Sequence, residues 1–174
     1  RAASGAARQK VGELIEHEKP AALPATSTTK AAGTATEAAS ILTEQSRKHL
    51  FEGEISKKRG NATGWHYEPT GNKEKGTYVI EGTRSPPDEH GVYAANVVIE
   101  GNAKRDRSTF FPKDWSPAQV ESAIREAEQK KVPTDRPNRY RGMTSSGVEI
   151  EMEPGPKGTI FPVYKGPKYE GPKK

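Results

Sequence analysis

Gly91-Val-Tyr-Ala-Ala-Asn-Val-Val-Ile-Glu100-Gly-Asn-Ala-Lys104-Arg-Asp-Arg-Ser108-Thr-Phe-Phe-Pro112 reads as two strands around a glycine turn. Val92–Glu100 is dense in β-branched and aromatic side chains, and Ser108–Phe111 closes on two phenylalanines. Upstream, glycines at 60, 64, 71, 76 and 82 keep cutting the chain into short pieces, among them a strand over Thr77–Glu81. Downstream, Ser116-Pro-Ala-Gln119 carries a capping box with proline in the first turn, which predicts a helix over 116–130. Its apolar stripe, Val120, Ala123, Ile124 and Ala127, is spaced to pack on a sheet. Tyr140–Met143, Gly147–Met152 and Thr159–Tyr164 read as three further strands.

The N-terminal side differs in character. Residues 5–18 read as a helix with Val11, Leu14 and Ile15 on one face, and 20–35 as a Pro/Ala/Thr linker. A second helix is expected over 36–49, using Ala39, Ile41 and Leu42 and ending on His49, with Leu50 and Phe51 following. The expected fold class is therefore α+β. Its parts are an N-terminal helix and linker (1–45), a folded domain (46–164) and a basic, frayed tail (165–174).

Composition narrows the chemistry. The chain has 174 residues, no cysteine, four histidines and a formal charge of +5. Five cations balance five carboxylates in residues 1–45, so the whole excess falls in the glycine-rich part, which suits a polyanion. Without cysteine there are no disulfides and no thiolate zinc sites. No apolar run approaches the ~20 residues of a membrane helix. Opening on Arg1 suggests a piece of something longer.

His49 and His66 sit beside glycines in polar stretches, in His49-Leu-Phe-Glu-Gly-Glu54 and Thr63-Gly-Trp-His-Tyr-Glu68. A histidine pair serves where one proton is taken and another given near neutral pH, and cleavage of RNA by its own 2′-hydroxyl is the first such reaction to consider. That reaction also needs a cation for the charge growing on phosphorus. Lys104, just past a strand, is placed to supply it, with Arg105 and Arg107 for flanking phosphates. Thr144, Ser145 and Ser146 before Gly147 read as turn residues or a phosphate nest. Trp65 reads as a core anchor or a base-stacking ring. His17 and His90 have no evident partner, and Asp88-Glu89-His90 is a poor metal set.

These blocks, with Gly91-Val-Tyr, Ser108-Thr-Phe-Phe-Pro112, Trp115-Ser116, Arg141-Gly-Met-Thr-Ser-Ser-Gly147 and Thr159-Ile-Phe-Pro162, occur in an order that resembles the bacterial EndoU nuclease domain over about residues 46–164. The resemblance implies an EndoU-like fold, with N-terminal helices and two small antiparallel sheets flanking a groove. It implies a His-His-Lys triad on His49, His66 and Lys104. The superfamily's usual assignment makes His66 the base, His49 the acid and Lys104 the stabiliser, leaving a 2′,3′-cyclic phosphate. Thr159 and Phe161 match an element lining the nucleotide pocket; many relatives outside bacteria carry tyrosine where Phe161 stands, and phenylalanine keeps the stacking face without the hydroxyl.

Further implications concern the setting. Bacterial domains of this kind commonly form the tip of large interbacterial toxins, which implies delivery by a larger secreted or surface effector and action in the target cell's cytoplasm. RNA is then the substrate, tRNA the favoured one, and an acidic cognate immunity protein the partner; no homo-oligomer is indicated. No cofactor is expected; superfamily members differ in their need for manganese, and no dedicated ligand set is visible. The competing expectations are a non-catalytic RNA-binding module and an adhesion module without RNA affinity.

Overall fold

Thr43 sets where the chain turns helical. In the computed structural model, which describes residues 40–156 and 158–168, α1 spans Glu44–Phe51. The Thr43 hydroxyl accepts the Ser46 amide at 3.1 Å, and the Ser46 hydroxyl accepts the Thr43 amide at 2.7 Å. This closed box fixes the first turn. The Ser46 hydroxyl also donates to the Ile41 carbonyl at 2.7 Å, so Ser40–Leu42 approach the cap without being helical. Of the helix expected over 36–49, residues 36–39 lie outside the described residues and 40–43 are not helical, because a reciprocal cap outranks the apolar spacing of Ile41 and Leu42. Both side chains are buried all the same. The helix expected over 5–18, the linker over 20–35, His17 and the last Gly-Pro-Lys lie outside the described residues.

Eleven short strands follow among the described residues: β1 (Glu54–Ile55), β2 (Ala62–Thr63), β3 (Tyr78–Val79), β4 (Tyr93–Ala95), β5 (Val97–Ile99), β6 (Asn102–Ala103), β7 (Ser108–Phe110), β8 (Val132–Pro133), β9 (Tyr140–Met143), β10 (Glu149–Glu153) and β11 (Thr159–Pro162). Helix α2 (Pro117–Gln129) separates β7 from β8. The fold is α+β, as expected, but four small antiparallel sheets replace the expected two: β1-β2, β3-β5-β6, β4-β7 and β11-β10-β9-β8. No helix among the described residues is long and apolar enough to cross a membrane.

Two apolar cores result. The larger gathers Leu50 of α1, Phe111, the Val120/Ala123/Ile124/Ala127 stripe of α2, and Ile150, Met152 and Ile160 of the four-stranded sheet. α2 forms as its sequence demands, with Ser116 and Gln119 capping reciprocally and Pro117 in the first turn. The smaller core holds Trp65, Val79, Tyr93, Val97, Ile99 and Phe110.

The strand expected over 92–100 is in fact two, and the break at Asn96 passes the chain from one sheet to another. Asn96 meets the break with its own polar groups. Its carbonyl accepts the Ile80 amide at 2.9 Å, its amide donates to the Thr83 hydroxyl at 3.1 Å, and its side-chain oxygen accepts Arg107 at 3.3 Å. Arg107 also donates to the carbonyls of Thr83 (2.7 Å) and Ala94 (2.8 Å). Its guanidinium therefore holds the kink, and the residue also lines the groove that holds His49, His66 and Lys104.

Gly142 marks the closest approach of sheet to helix: a Cβ there would stand 2.0 Å from the Ala127 carbonyl oxygen. Gly142→Ala must push β9 off α2, and we expect a loss of ~1–3 kcal/mol with an unchanged urea m-value. Equilibrium urea denaturation followed by circular dichroism checks this; an unaltered midpoint would refute the packing described.

Candidate functional site

The site begins at the carbonyls that the last turn of α1 leaves without a partner inside the helix. Any helix leaves such groups unsatisfied, and here the chain itself returns to fill them. The Trp65 amide donates to the His49 carbonyl at 2.7 Å and the His66 amide to the Leu50 carbonyl at 2.7 Å. Reaching them takes two successive left-handed residues, Gly64 (φ 82) and Trp65 (φ 64). Gly64 can only be glycine, since a Cβ would lie 2.3 Å from the His49 carbonyl oxygen. Trp65 is a non-glycine residue in a costly conformation, held there by burial. Its ring packs edge-on against Phe110, centroids 5.2 Å apart. The core reading of Trp65 is the one realised.

This return brings His49 and His66 side by side, both buried, with ring centroids 6.0 Å apart and planes tilted by 37°. Their surroundings differ. His66 Nδ1 lies 2.8 Å from the Thr109 carbonyl oxygen, which can only accept, so Nδ1 carries the proton and Nε2 is the basic nitrogen. Burial, first, and then the positive fields of Lys104 and His49 hold the His66 pKa well below the ordinary 6.5, against the opposing pull of the Thr109 carbonyl. His49 Nδ1 instead lies 3.7 Å from a Glu54 carboxylate oxygen. That carboxylate is fixed in turn by Gln45, whose Nε2 donates to its two oxygens at 3.0 and 3.1 Å.

Lys104 arrives from the other core. Its amide donates to the Val97 carbonyl, and its ammonium reaches the Ser108 hydroxyl at 2.7 Å and the Gly64 carbonyl at 3.0 Å. Ser108 is wholly buried and itself donates to the Gly64 carbonyl at 3.1 Å. Both partners are neutral, and burial lowers the ammonium pKa to about 8, with Asp106 opposing. His49, His66 and Lys104 line a single groove of ≈ 960 Å³.

Thr159 and Phe161 line the same groove, and the Phe161 ring lies 5.7 Å from that of His66. The Arg139 guanidinium sits 5.8 Å over the Phe161 ring and is anchored by Glu151 and by Glu153 at 2.6 Å. Six cations face three carboxylates along the groove wall, so the surface offered to a ligand is positive.

Two expected binding residues are not brought there. Arg105 is exposed and does not line the groove. Thr144 is buried in the β9–β10 turn, its hydroxyl bonded to the Val148 carbonyl at 3.0 Å and to Ser146. Ser145 is held by Glu126 of α2, so turn chemistry accounts for this trio. His90 packs against Gly147, with its Nε2 3.3 Å from Glu89. No group of three or more metal-ligating side chains occurs among the described residues.

Sequence reasoning missed Gln45, Ser108, Arg139 and the pairing of Glu54 with His49. Ser108 offered one signal, a polar residue opening a strand otherwise bound for the core. The others depend on chain crossings that local sequence does not report.

Residues 43–167 match the family model described as bacterial EndoU nuclease. A protein named Toxin from Bacillus cereus is 38% identical over 120 residues, 67% of this chain and 21% of that protein. The matching stretch thus spans about a fifth of the relative's length. No solved structure matches.

The burial of His66 has a titration consequence. Since its folded pKa lies below 6.5, the unfolded chain binds this proton first, so its contribution to stability is full above pH 6.5 and is lost as pH falls through the lower, folded value. Nitrogen-15 NMR should find His66 protonated at Nδ1 and titrating below 6.5, and Lys104→Met should raise that value by removing a neighbouring positive charge. A His66 titrating at or above 6.5 would contradict the site as described.

Proposed function

The chain belongs to the bacterial EndoU nuclease family, and from that premise we propose that it is the RNA-cleaving part of a toxin. The reaction is transesterification by the substrate's own 2′-hydroxyl. His66 Nε2 removes the 2′-OH proton, the 2′-oxygen attacks phosphorus, and the P–O5′ bond breaks. His49 gives its proton to the departing 5′-oxygen, leaving a 2′,3′-cyclic phosphate and a 5′-hydroxyl. Lys104 stabilises the charge that builds on the non-bridging oxygens; Thr159 and Phe161 hold the nucleotide whose 2′-OH reacts.

One observation carries the division of labour: the two imidazoles face opposite kinds of partner. A base must arrive unprotonated, and His66 combines a donor-satisfying carbonyl with burial and two nearby positive groups. An acid must arrive charged, and His49 has Glu54 beside it. Lys104 is held by neutral acceptors, Gly64 O and Ser108 Oγ, rather than by a carboxylate within ion-pairing distance. Its charge is therefore left to act on a phosphate.

The toxin setting rests on the Bacillus cereus relative, whose name says as much and most of whose length lies outside the match. In that setting the substrate is RNA of the target cell, tRNA first. The domain travels as part of a larger secreted or surface effector and acts in the recipient's cytoplasm. The producing cell then needs an immunity protein, acidic so as to cover the positive groove.

Incubating the chain with total tRNA and resolving the products on a denaturing gel tests this directly. We expect cleavage to a 2′,3′-cyclic phosphate that is lost in His49→Ala and His66→Ala. Lys104→Ala should fall by about 10²–10³-fold, the scale of ~3–4 kcal/mol of lost electrostatic stabilisation. The rate should rise with pH through a range below 6.5, as His66 loses its proton, and decline by about 8, as Lys104 loses its own. Glu54→Gln should reduce kcat by about tenfold or more with little change in KM. Cutting of a fully 2′-deoxy strand, or full activity in either histidine variant, would overturn the mechanism.

A further inference from the structure

We infer that the β1–β2 hairpin is a phosphate-binding arm that holds the RNA strand on the 3′ side of the scissile bond. The inference rests on the nuclease reading above and adds to it a direction in which the strand lies. Of Arg105 and Arg107, the cations expected to flank the reacting phosphate, the first is off the groove wall, and the second lines it with its guanidinium bonded to Asn96, Thr83 and Ala94. Three further cations line the same groove, Lys48, Lys57 and Lys58.

The hairpin supplies two of them. Glu54 and Ile55 pair with Thr63 and Ala62, and the turn between them carries Lys57, Lys58 and Arg59 in succession. Lys57 and Lys58 are exposed and line the groove, together with Lys48 on α1. None of these three lysines has a carboxylate within ion-pairing distance among the described residues. Of the other groove cations, Arg139 is paired with carboxylates, Arg107 is bonded at the Asn96 kink, and Lys104, held only by the neutral Gly64 carbonyl and Ser108 hydroxyl, is the one assigned to the reacting phosphate. The arm is nonetheless ordered at its base. The Ser56 amide donates to the Asn61 carbonyl at 2.8 Å, the Gly60 amide to the Ser56 carbonyl at 2.7 Å, and Gly60 takes a left-handed φ of 70°. Cations on a shaped turn beside a groove bind a backbone without reading bases.

Direction follows from which imidazole each feature adjoins. Phe161 lies against His66, the base, so the nucleotide bearing the attacking 2′-hydroxyl belongs at that end. The hairpin issues from Glu54, the partner of His49, and Lys48 precedes His49 in the chain. His49 is the acid, and the oxygen it protonates opens the 3′ portion of the strand. The lysines therefore meet phosphates downstream of the cut.

The test uses the full chain and Lys57→Ala/Lys58→Ala, both changes being on exposed turn positions. Every substrate is built on a two-nucleotide core, one ribonucleotide (each base in turn) followed by one 3′ deoxynucleotide so that the scissile bond is present, and carries extra deoxynucleotides only 5′ or only 3′ of that core. Binding is measured in parallel on the fully 2′-deoxy strand as a function of salt. The double variant should lose about tenfold in kcat/KM on the 3′-extended substrates and keep its rate on those extended only 5′. The slope of log affinity against log salt should shrink by about 1.4, two single-strand phosphate contacts. An unchanged slope overturns the arm. Equal losses on both substrate sets, or a loss confined to the 5′-extended set, overturn its direction. A wild-type chain that binds with the larger slope but cuts no substrate counts against the nuclease reading, while the binding result still supports the arm.

Discussion

Two amide–carbonyl hydrogen bonds, from Trp65 and His66 to the last turn of α1, hold the rest of the site in register. They satisfy carbonyls that a helix end would otherwise leave to water, and they do so with the very segment that carries the second histidine. Proximity of the two rings is thus a by-product of capping. The same crossing turns the Gly64 carbonyl toward Lys104 and Ser108, so one peptide unit links helix, return segment and ammonium. A side chain at Gly64 would strike the His49 backbone, and the whole arrangement would open.

Gathering three basic groups in one partly buried groove carries an electrostatic cost, and the protein meets it by giving each group a different environment. His66 is kept neutral by burial and by its positive neighbours. Lys104 keeps two neutral acceptors while burial brings its pKa down to about 8. His49 has a carboxylate, itself pinned by Gln45. Like groups thus sit in unlike environments, His66 against a backbone carbonyl and His49 against a carboxylate.

The groove is lined from elements of both apolar cores. α1 and β11 belong with the larger core and bring His49, Thr159 and Phe161, while Lys104 follows β6 in the sheet built on the smaller one. Asn96 and Arg107 let a single run of apolar residues serve both β4 and β5, which pair in different sheets, β4 with β7 and β5 with β3 and β6.

Much of this was legible in the residues themselves. The capping box at Ser116, the stripe of α2, strand β9 and the glycine-cut character of 53–112 follow from local propensity and periodicity, which act within a few residues. The pairing of His49 and His66 with Lys104 was legible as chemistry and as a resemblance, because few side chains in a cysteine-free chain can exchange protons near neutrality. Tertiary structure alone decided that the strand over 92–100 divides at Asn96, that Arg107 braces the kink, that Thr144 closes a turn away from the groove, and that Glu54 rather than a carbonyl faces His49. Each of these depends on which distant backbone group arrives to satisfy a polar atom. Such partners come from segments tens of residues apart, and nothing in a local stretch of sequence records them.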